Sequence, residues 1–239
     1  MKHNWLTASQ FAHRGLHGPH TGFIENSLPA FNAALEGGYG FELDVLLSRD
    51  NVAMVIHDTT LARLTGQNGI TIDFTAEELS KIKLLGTDGT IPTLKETLDQ
   101  TNGKGPILIE IKGDQGKYSQ IAKAVWKDIK SYQGAVAIMS FYPEILEYFK
   151  KHFPGVVRGL VATSTNDGGL PKNYFNLDQQ IKTIKNLEVD FIAYDISALP
   201  NEVTEYCSHW NTPVLTWTVR SDVERKHAQN NTDNIIFEL

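Results

Sequence analysis

Short apolar runs rich in β-branched residues alternate with amphipathic stretches almost to the last residue of the chain. The runs are Gln10–His13, Gly40–Leu47, Ala53–His57, Pro106–Lys112, Ala135–Phe141, Val156–Val161, Asp190–Ile196, Pro213–Val219 and Asn234–Phe237. Most are continuously apolar, as strands covered on both faces are. Between them, Ser27–Glu36, Ala76–Lys81, Thr93–Asp99, Ser119–Lys130, Pro143–His152, Gln179–Leu187, Pro200–Trp210 and Ser221–Ala228 carry helical patterning. Such alternation builds βαβ units and a parallel sheet.

The run Ala53–His57 follows the second strand after a tight Arg49-Asp50-Asn51 turn, so it reads as a hairpin-like extension and not as a barrel stave. The other eight strands suit a closed (β/α)8 TIM barrel with a small insertion after the second strand, at about residues 59–105. That stretch holds Gly66, Gly69, Gly86, Gly89 and Gly103 and two short helical pieces. The whole chain, 1–239, is predicted to be one barrel domain, a size usual for that fold. An open doubly wound sheet is the alternative, but no glycine-rich phosphate loop of the G-x-G-x-x-G or P-loop type is present.

Composition narrows the function. A content of 41% hydrophobic and 21% charged residues fits a soluble globular protein. The single cysteine, Cys207, excludes a disulfide within the chain. With 28 acidic and 22 basic residues, a net charge of -6 and no dense basic run, neither a nucleic-acid partner nor a polybasic membrane surface is expected. No apolar stretch has the length of a membrane span, and the N-terminus lacks the pattern of a signal peptide. The reading is a cytoplasmic enzyme with no stable membrane anchor; the sequence leaves its oligomeric state open. A net-negative protein that handles an anionic substrate must gather positive charge locally, through a cation or basic side chains.

Ionisable residues collect at the C-terminal ends of the predicted strands, the face on which barrel enzymes carry their sites. Glu42 and Asp44 are two apart on one strand, so both carboxylates project from the same face. Taken alone, the pair is equally a solvated strand end. Glu110 on the neighbouring stave adds a third acid. Two carboxylates about 4 Å apart repel by about 4 kcal/mol at an effective dielectric near 20. Three together require a cation or shared protons, and an all-oxygen site favours Mg²⁺, Ca²⁺ or Mn²⁺. His13 and His57 each close an apolar run and precede a charged residue. A lone histidine is more often structural, but a pair beside three acids can divide the roles of general base and general acid. Arg14 and Lys112 supply fixed positive charge suited to phosphate oxygens. Trp217 lines a pocket or fills the barrel. His3, His17, His20, His152, His209 and His227 have no supporting neighbours in sequence and read as surface or loop residues.

Together these residues resemble the glycerophosphodiester phosphodiesterase family over most of the chain. His13-Arg14-Gly15 is similar to its opening motif. Glu25-Asn26-Ser27, then Ala30-Phe31 and Ala33 before Gly37-Gly38, is similar to the element that follows. Glu42-Leu43-Asp44-Val45 resembles the acidic pair, and His57-Asp58 with Leu61 and Arg63 resembles the second histidine motif. Ile91-Pro92-Thr93-Leu94, Ile109-Glu110-Ile111-Lys112, Ser140-Phe141 and Trp217-Thr218-Val219 resemble later motifs. Each is weak alone; their order and spacing are specific.

The resemblance implies a β/α barrel with an insertion after the second strand, and a divalent ion, Mg²⁺, Ca²⁺ or Mn²⁺, held by Glu42, Asp44 and Glu110. It implies an acid–base pair, His13 and His57, and phosphate contacts from Arg14 and Lys112. Glu25 and Asn26 would help build the pocket, although Asn26 also suits the cap of a helix starting at Ser27. The substrate would be a small glycerophosphodiester, cleaved to glycerol 3-phosphate and an alcohol such as choline or ethanolamine. Three positions depart from the family pattern: Leu64 where Thr is frequent, Arg220 where Asn is more usual, and Phe237-Glu238 in place of Thr-Asp. A phospholipase acting on lipid substrates and a non-catalytic binding barrel are the rival readings. No evident lipid-binding helix favours the first, and the retained histidines and acids weigh against the second.

Overall fold

A computed structural model describes residues 3–113, 115–165 and 169–239; Met1 and Lys2 of the N-terminal segment lie outside them. Its strands are β1 (Phe11–Ala12), β2 (Gly40–Leu47), β3 (Ala53–Val55), β4 (Ile107–Ile111), β5 (Val136–Ser140), β6 (Val157–Ala162), β7 (Phe191–Asp195), β8 (Val214–Val219) and β9 (Asn234–Phe237). The helices are α1 (Trp5–Ala8), α2 (Leu28–Glu36), α3 (Ala62–Thr65), α4 (Ala76–Leu79), α5 (Leu94–Thr101), α6 (Tyr118–Ile129), α7 (Pro143–His152), α8 (Leu177–Leu187), α9 (Glu202–His209) and α10 (Asp222–Asn231). The sheet runs β1-β9-β8-β7-β6-β5-β4-β2-β3, and pairing of β1 with β2 closes it. Eight parallel strands therefore form the barrel, and β3 adds to β2 antiparallel, with Val45 opposite Val55. The expected (β/α)8 TIM barrel and its hairpin extension are both present.

Alternation along the strands separates two cores. Leu108, Ala137, Met139, Val161, Phe191, Ala193, Leu215 and Ile236 fill the barrel interior, while Leu43, Ile109, Ile138, Leu160 and Ile192 face the helical ring. A third cluster, including Leu46, Met54, Ile56, Leu61, Leu79 and Ile91, packs the inserted segment onto the β2–β3 hairpin. The sequence puts the helix it predicts over Thr93–Asp99, observed as α5, inside the insertion at about residues 59–105. It is instead a helix of the outer ring, packed between α2 and α6. Its start is set by a Thr93–Glu96 capping box, a strong local signal that says nothing of the layer the helix joins.

Helix α1 had no counterpart in the sequence reading, because four residues carry too little periodicity to register. It plugs the N-terminal end of the barrel: Leu6 is fully buried against Phe11 and the interior cluster. The Asn234 amide ties it down, donating to the carbonyls of Leu6 and Ser9 at 2.8 Å each. Among the described residues, no helix is long and apolar enough to cross a membrane.

Truncating the plug, Leu6→Ala, is expected to cost about 2–5 kcal/mol, as other fully buried leucines do on truncation. Urea unfolding at neutral pH measures it; a loss well under 1 kcal/mol would mean that α1 does not seal the barrel.

Candidate active site

The strand register brings the acids together. Asp44 of β2 lies directly opposite Glu110 of β4, and Glu42 is two residues earlier on the same inward face. All three are buried, and each offers an oxygen within 4.8 Å of the others. Asn26 locks the middle one in place: its Nδ2 donates to Asp44 Oδ2 at 2.9 Å, and its Oδ1 accepts from the Asp44 backbone N–H at 3.2 Å. The helix after it is capped by Ser27, not Asn26, so the capping alternative for Asn26 is set aside.

Positive charge reaches the acids from two sides. Lys112 Nζ lies 2.6 Å from Glu110 Oε1 and 3.0 Å from Asp44 Oδ1. Arg14 Nε lies 3.2 Å from Asp44 Oδ2, and the Arg14 backbone N–H donates to Glu42 Oε2 at 3.0 Å. Arg14 has a positive φ of 53° and is followed by Gly15 at 81°, a turn that aims its amide at Glu42. A Cβ on Gly15 would meet the Ala30 backbone at 2.8 Å, so only glycine allows this loop to lie against α2.

The charges do not balance. Three buried carboxylates face two cations, and Glu42 Oε1 has no hydrogen-bond partner. Burial, then repulsion from Asp44 and Glu110, holds the Glu42 pKa well above its usual value. Asp44 goes the other way: burial alone would raise its pKa, but the charges of Lys112 and Arg14 pull it far down. Lys112 is raised for the reciprocal reason, since Asp44 and Glu110 outweigh its burial. An all-oxygen cluster with a surplus negative charge and an orphaned buried oxygen has the donor set of a hard divalent cation.

Both candidate histidines back onto carboxylates. His13 Nδ1 lies 2.6 Å from Glu238 Oε1, and its Nε2 points toward Glu42 Oε2, 3.9 Å away. His57 Nδ1 lies 2.6 Å from Asp58 Oδ1. An ionised carboxylate only accepts, so each Nδ1 carries the proton and each Nε2 is left for other chemistry. Burial lowers the His13 pKa, and the hydrogen bond to Glu238 only partly offsets it.

These groups open onto one cavity of about 620 Å³, lined by His13, Arg14, Glu42, His57, Glu110 and Lys112 on its polar side. Phe141 and Trp217 meet edge to face across the apolar side, ring centroids 5.6 Å apart. Trp217 Nε1 is anchored to the Ala193 carbonyl at 2.9 Å, which turns the indole's apolar surface to the cavity. Glu25, Asn26 and Asp44 stand behind the wall. Glu25 accepts from Arg14 Nη1 and from both terminal nitrogens of Arg63, each at 2.8 Å. It thus orients Arg14 where the sequence reading made it a pocket residue.

The sequence reading overlooked Glu238, Arg220 and Asp58 as a supporting layer, and set His17 aside. Arg220 Nε donates to Glu238 Oε2 at 2.7 Å, so two of the three departures from the family pattern form one ion pair behind His13. His17, read as lacking supporting neighbours, has its Nε2 4.0 Å from Glu238 Oε1. The paired oddity of Arg220 and Glu238 is the available signal for this layer; a closed barrel makes β8, β9 and β1 neighbours, but the sequence does not show which side chains meet across their ends.

Comparison with known proteins identifies the family. The model of the glycerophosphoryl diester phosphodiesterase family matches residues 13–235. The chain belongs to this family. That membership makes it a phosphoric diester hydrolase. A glycerophosphodiester phosphodiesterase of Caldanaerobacter subterraneus subsp. tengcongensis is 37% identical over 215 residues, 84% of this chain and 83% of that protein. One from Bacillus altitudinis is 35% identical over 157 residues, 61% of this chain and 63% of that protein. Among solved structures, an Oleispira antarctica phosphodiesterase in complex with its product sn-glycerol-3-phosphate superposes with a TM-score of 0.83. It shares 20% identity, with 98% of this chain and 93% of that one covered, which is a likeness of fold. The Thermotoga maritima glycerophosphodiester phosphodiesterase gives a TM-score of 0.76 at 26% identity, over 95% of this chain and 92% of that one.

Glu238 makes a pH-dependent contribution to stability. Burial would raise its pKa, but hydrogen bonds from His13 and Arg220 outweigh that and bring it from 4.5 down to about 2. A depressed carboxylate pKa stabilises the fold above the unfolded value, and that gain is lost as pH falls through the folded one. Glu238→Gln should therefore be less stable than wild type at neutral pH, with the gap closing between pH 4.5 and about 2. Urea unfolding across that range measures it; a gap independent of pH would contradict the assignment.

Proposed function

We propose that the chain hydrolyses small glycerophosphodiesters to glycerol 3-phosphate and an alcohol, using a divalent cation held by Glu42, Asp44 and Glu110 and the imidazoles of His13 and His57 as acid and base. The reading rests on one observation: two carboxylate-backed imidazoles line the same cavity as a buried, charge-unbalanced acidic cluster. Family membership and the product bound by the Oleispira relative support the substrate class. The whole chain acts as one domain in this proposal, with the inserted segment buttressing the site.

The cation, Mg²⁺, Ca²⁺ or Mn²⁺, would neutralise charge that grows on the phosphate oxygens as the diester breaks. The protein's own groups supply the rest. Lys112 and Arg14 line the cavity beside the acids and attract the phosphate as fixed charges. One Nε2 accepts the proton of the nucleophile, and the other donates a proton to the departing alkoxide. Glu238 and Asp58 hold the two rings in the tautomer that exposes Nε2 and stabilise each ring when it is charged. Phe141 and Trp217 give the alcohol an apolar wall and keep water from that side.

Replacing either histidine, His13→Ala or His57→Ala, should lower turnover of glycerophosphocholine by about a hundredfold or more. Near-normal turnover in both variants would remove the acid–base pair. Chelation should abolish release of glycerol 3-phosphate, and Mg²⁺, Ca²⁺ or Mn²⁺ should restore it. Full activity in excess chelator would refute the cation site.

A further inference from the structure

His17 is the loose end of the site. Its Nε2 is buried and has no hydrogen-bond partner, although buried polar atoms nearly always find one. The loop that carries it is pinned on both sides. Leu16 N–H donates to the Ala30 carbonyl at 2.9 Å, and Gly18 N–H donates to the Phe23 carbonyl at 3.0 Å. The backbone on either side of His17 is therefore set, and its unpartnered nitrogen lies 4.0 Å from Glu238 Oε1, the same oxygen that lies 2.6 Å from His13 Nδ1.

We propose that His13, His17 and Glu238 form a second cation site, suited to Zn²⁺, on the opposite edge of His13 from the acidic cluster. Their donor atoms all lie within 4.8 Å of one another. Four-coordinate zinc, with bonds of about 2.0–2.2 Å, needs donors about 3.4 Å apart. Small side-chain adjustments bring the three to that spacing, the His13–Glu238 pair opening and His17 closing in. Two imidazoles and a carboxylate are a zinc donor set; Mg²⁺ prefers oxygen alone. Solvent completes the fourth position, because the three side chains are 13–22% exposed and His13 and Arg220, on either side of Glu238, line the open cavity. Zinc takes the Nδ1 of the neutral His13 ring, and the proton that Nδ1 gives up is replaced by one taken from solvent at Nε2, so the ring stays neutral. Arg220 competes for the same carboxylate through Nε at 2.7 Å and Nη2 at 3.1 Å, and at 57% exposure it can swing into water.

The consequence is inhibition, which rests on the proposed role of His13: with its Nδ1 bound to zinc, the ring is pinned and cannot cycle its charge. The two ideas separate experimentally. Zn²⁺ titration of the full chain in saturating Mg²⁺, followed by calorimetry, should find one zinc equivalent in wild type. His17→Ala and His17→Gln should weaken it tenfold or more, and Arg220→Ala should tighten it. Co²⁺ in the same site should give the intense visible absorption of a four-coordinate ion, lost in both His17 variants. Identical zinc isotherms and cobalt spectra in wild type and both His17 variants would overturn the site. In the matching assay, Zn²⁺ should inhibit wild type in excess Mg²⁺, while His17→Ala keeps its Mg²⁺-supported turnover and resists zinc tenfold better. Zinc binding lost in His17→Ala but without effect on wild-type turnover would leave the site standing and count against His13 as a catalytic group.

Discussion

The site is organised around like charge forced into one buried place. The β2–β4 register sets Asp44 beside Glu110, and strand alternation adds Glu42 from the same face. Barrel closure denies all three the water that would otherwise screen them. Repulsion between carboxylates at this spacing is worth several kcal/mol at the dielectric of a protein interior. Lys112 and Arg14 offset part of it, and Glu42 takes up the remainder as a strongly raised pKa. A surplus of this kind suits a divalent cation, a counter-charge of the right size and hardness for an all-oxygen cluster.

Around this centre, a single guanidinium joins elements that are far apart in sequence. Arg63, on α3 of the inserted segment, donates to Glu25 and also pairs with Asp58. Glu25 in turn holds Arg14, and Asp58 holds His57. The insertion therefore contributes no cavity-lining residue through Arg63, yet it couples both histidine motifs. On the far side, Arg220 and Glu238 do the same for His13 from the ends of β8 and β9. Each imidazole is thus oriented by an acid that is oriented by an arginine, a chain of charge-assisted hydrogen bonds that leaves little rotational freedom to the rings.

Much of this was legible in the sequence. Continuous apolar runs fixed the strand count and the parallel sheet, because the solvent-free environment of a barrel stave selects for them regardless of partner. The two-residue spacing of Glu42 and Asp44 placed them on one face, since that period is a property of the extended backbone itself. The histidines stood out because each ended such a run. Glu25 was legible as part of a motif but not in its role: a carboxylate reads the same in sequence whether it touches substrate or an arginine.

What the chain determined alone were properties of short segments: which residues form strands, which way their side chains alternate, where helices are capped, and which ionisable groups sit at strand ends. Tertiary structure decided which ends meet. The 2.6 Å contact of His13 with Glu238 spans 225 positions and exists because β9 closes the barrel onto β1. The setting of His17 against Glu238 has the same origin. Local patterning records the environment of a residue along its own element, whereas the partner of a charge depends on barrel closure and register, which no single segment encodes.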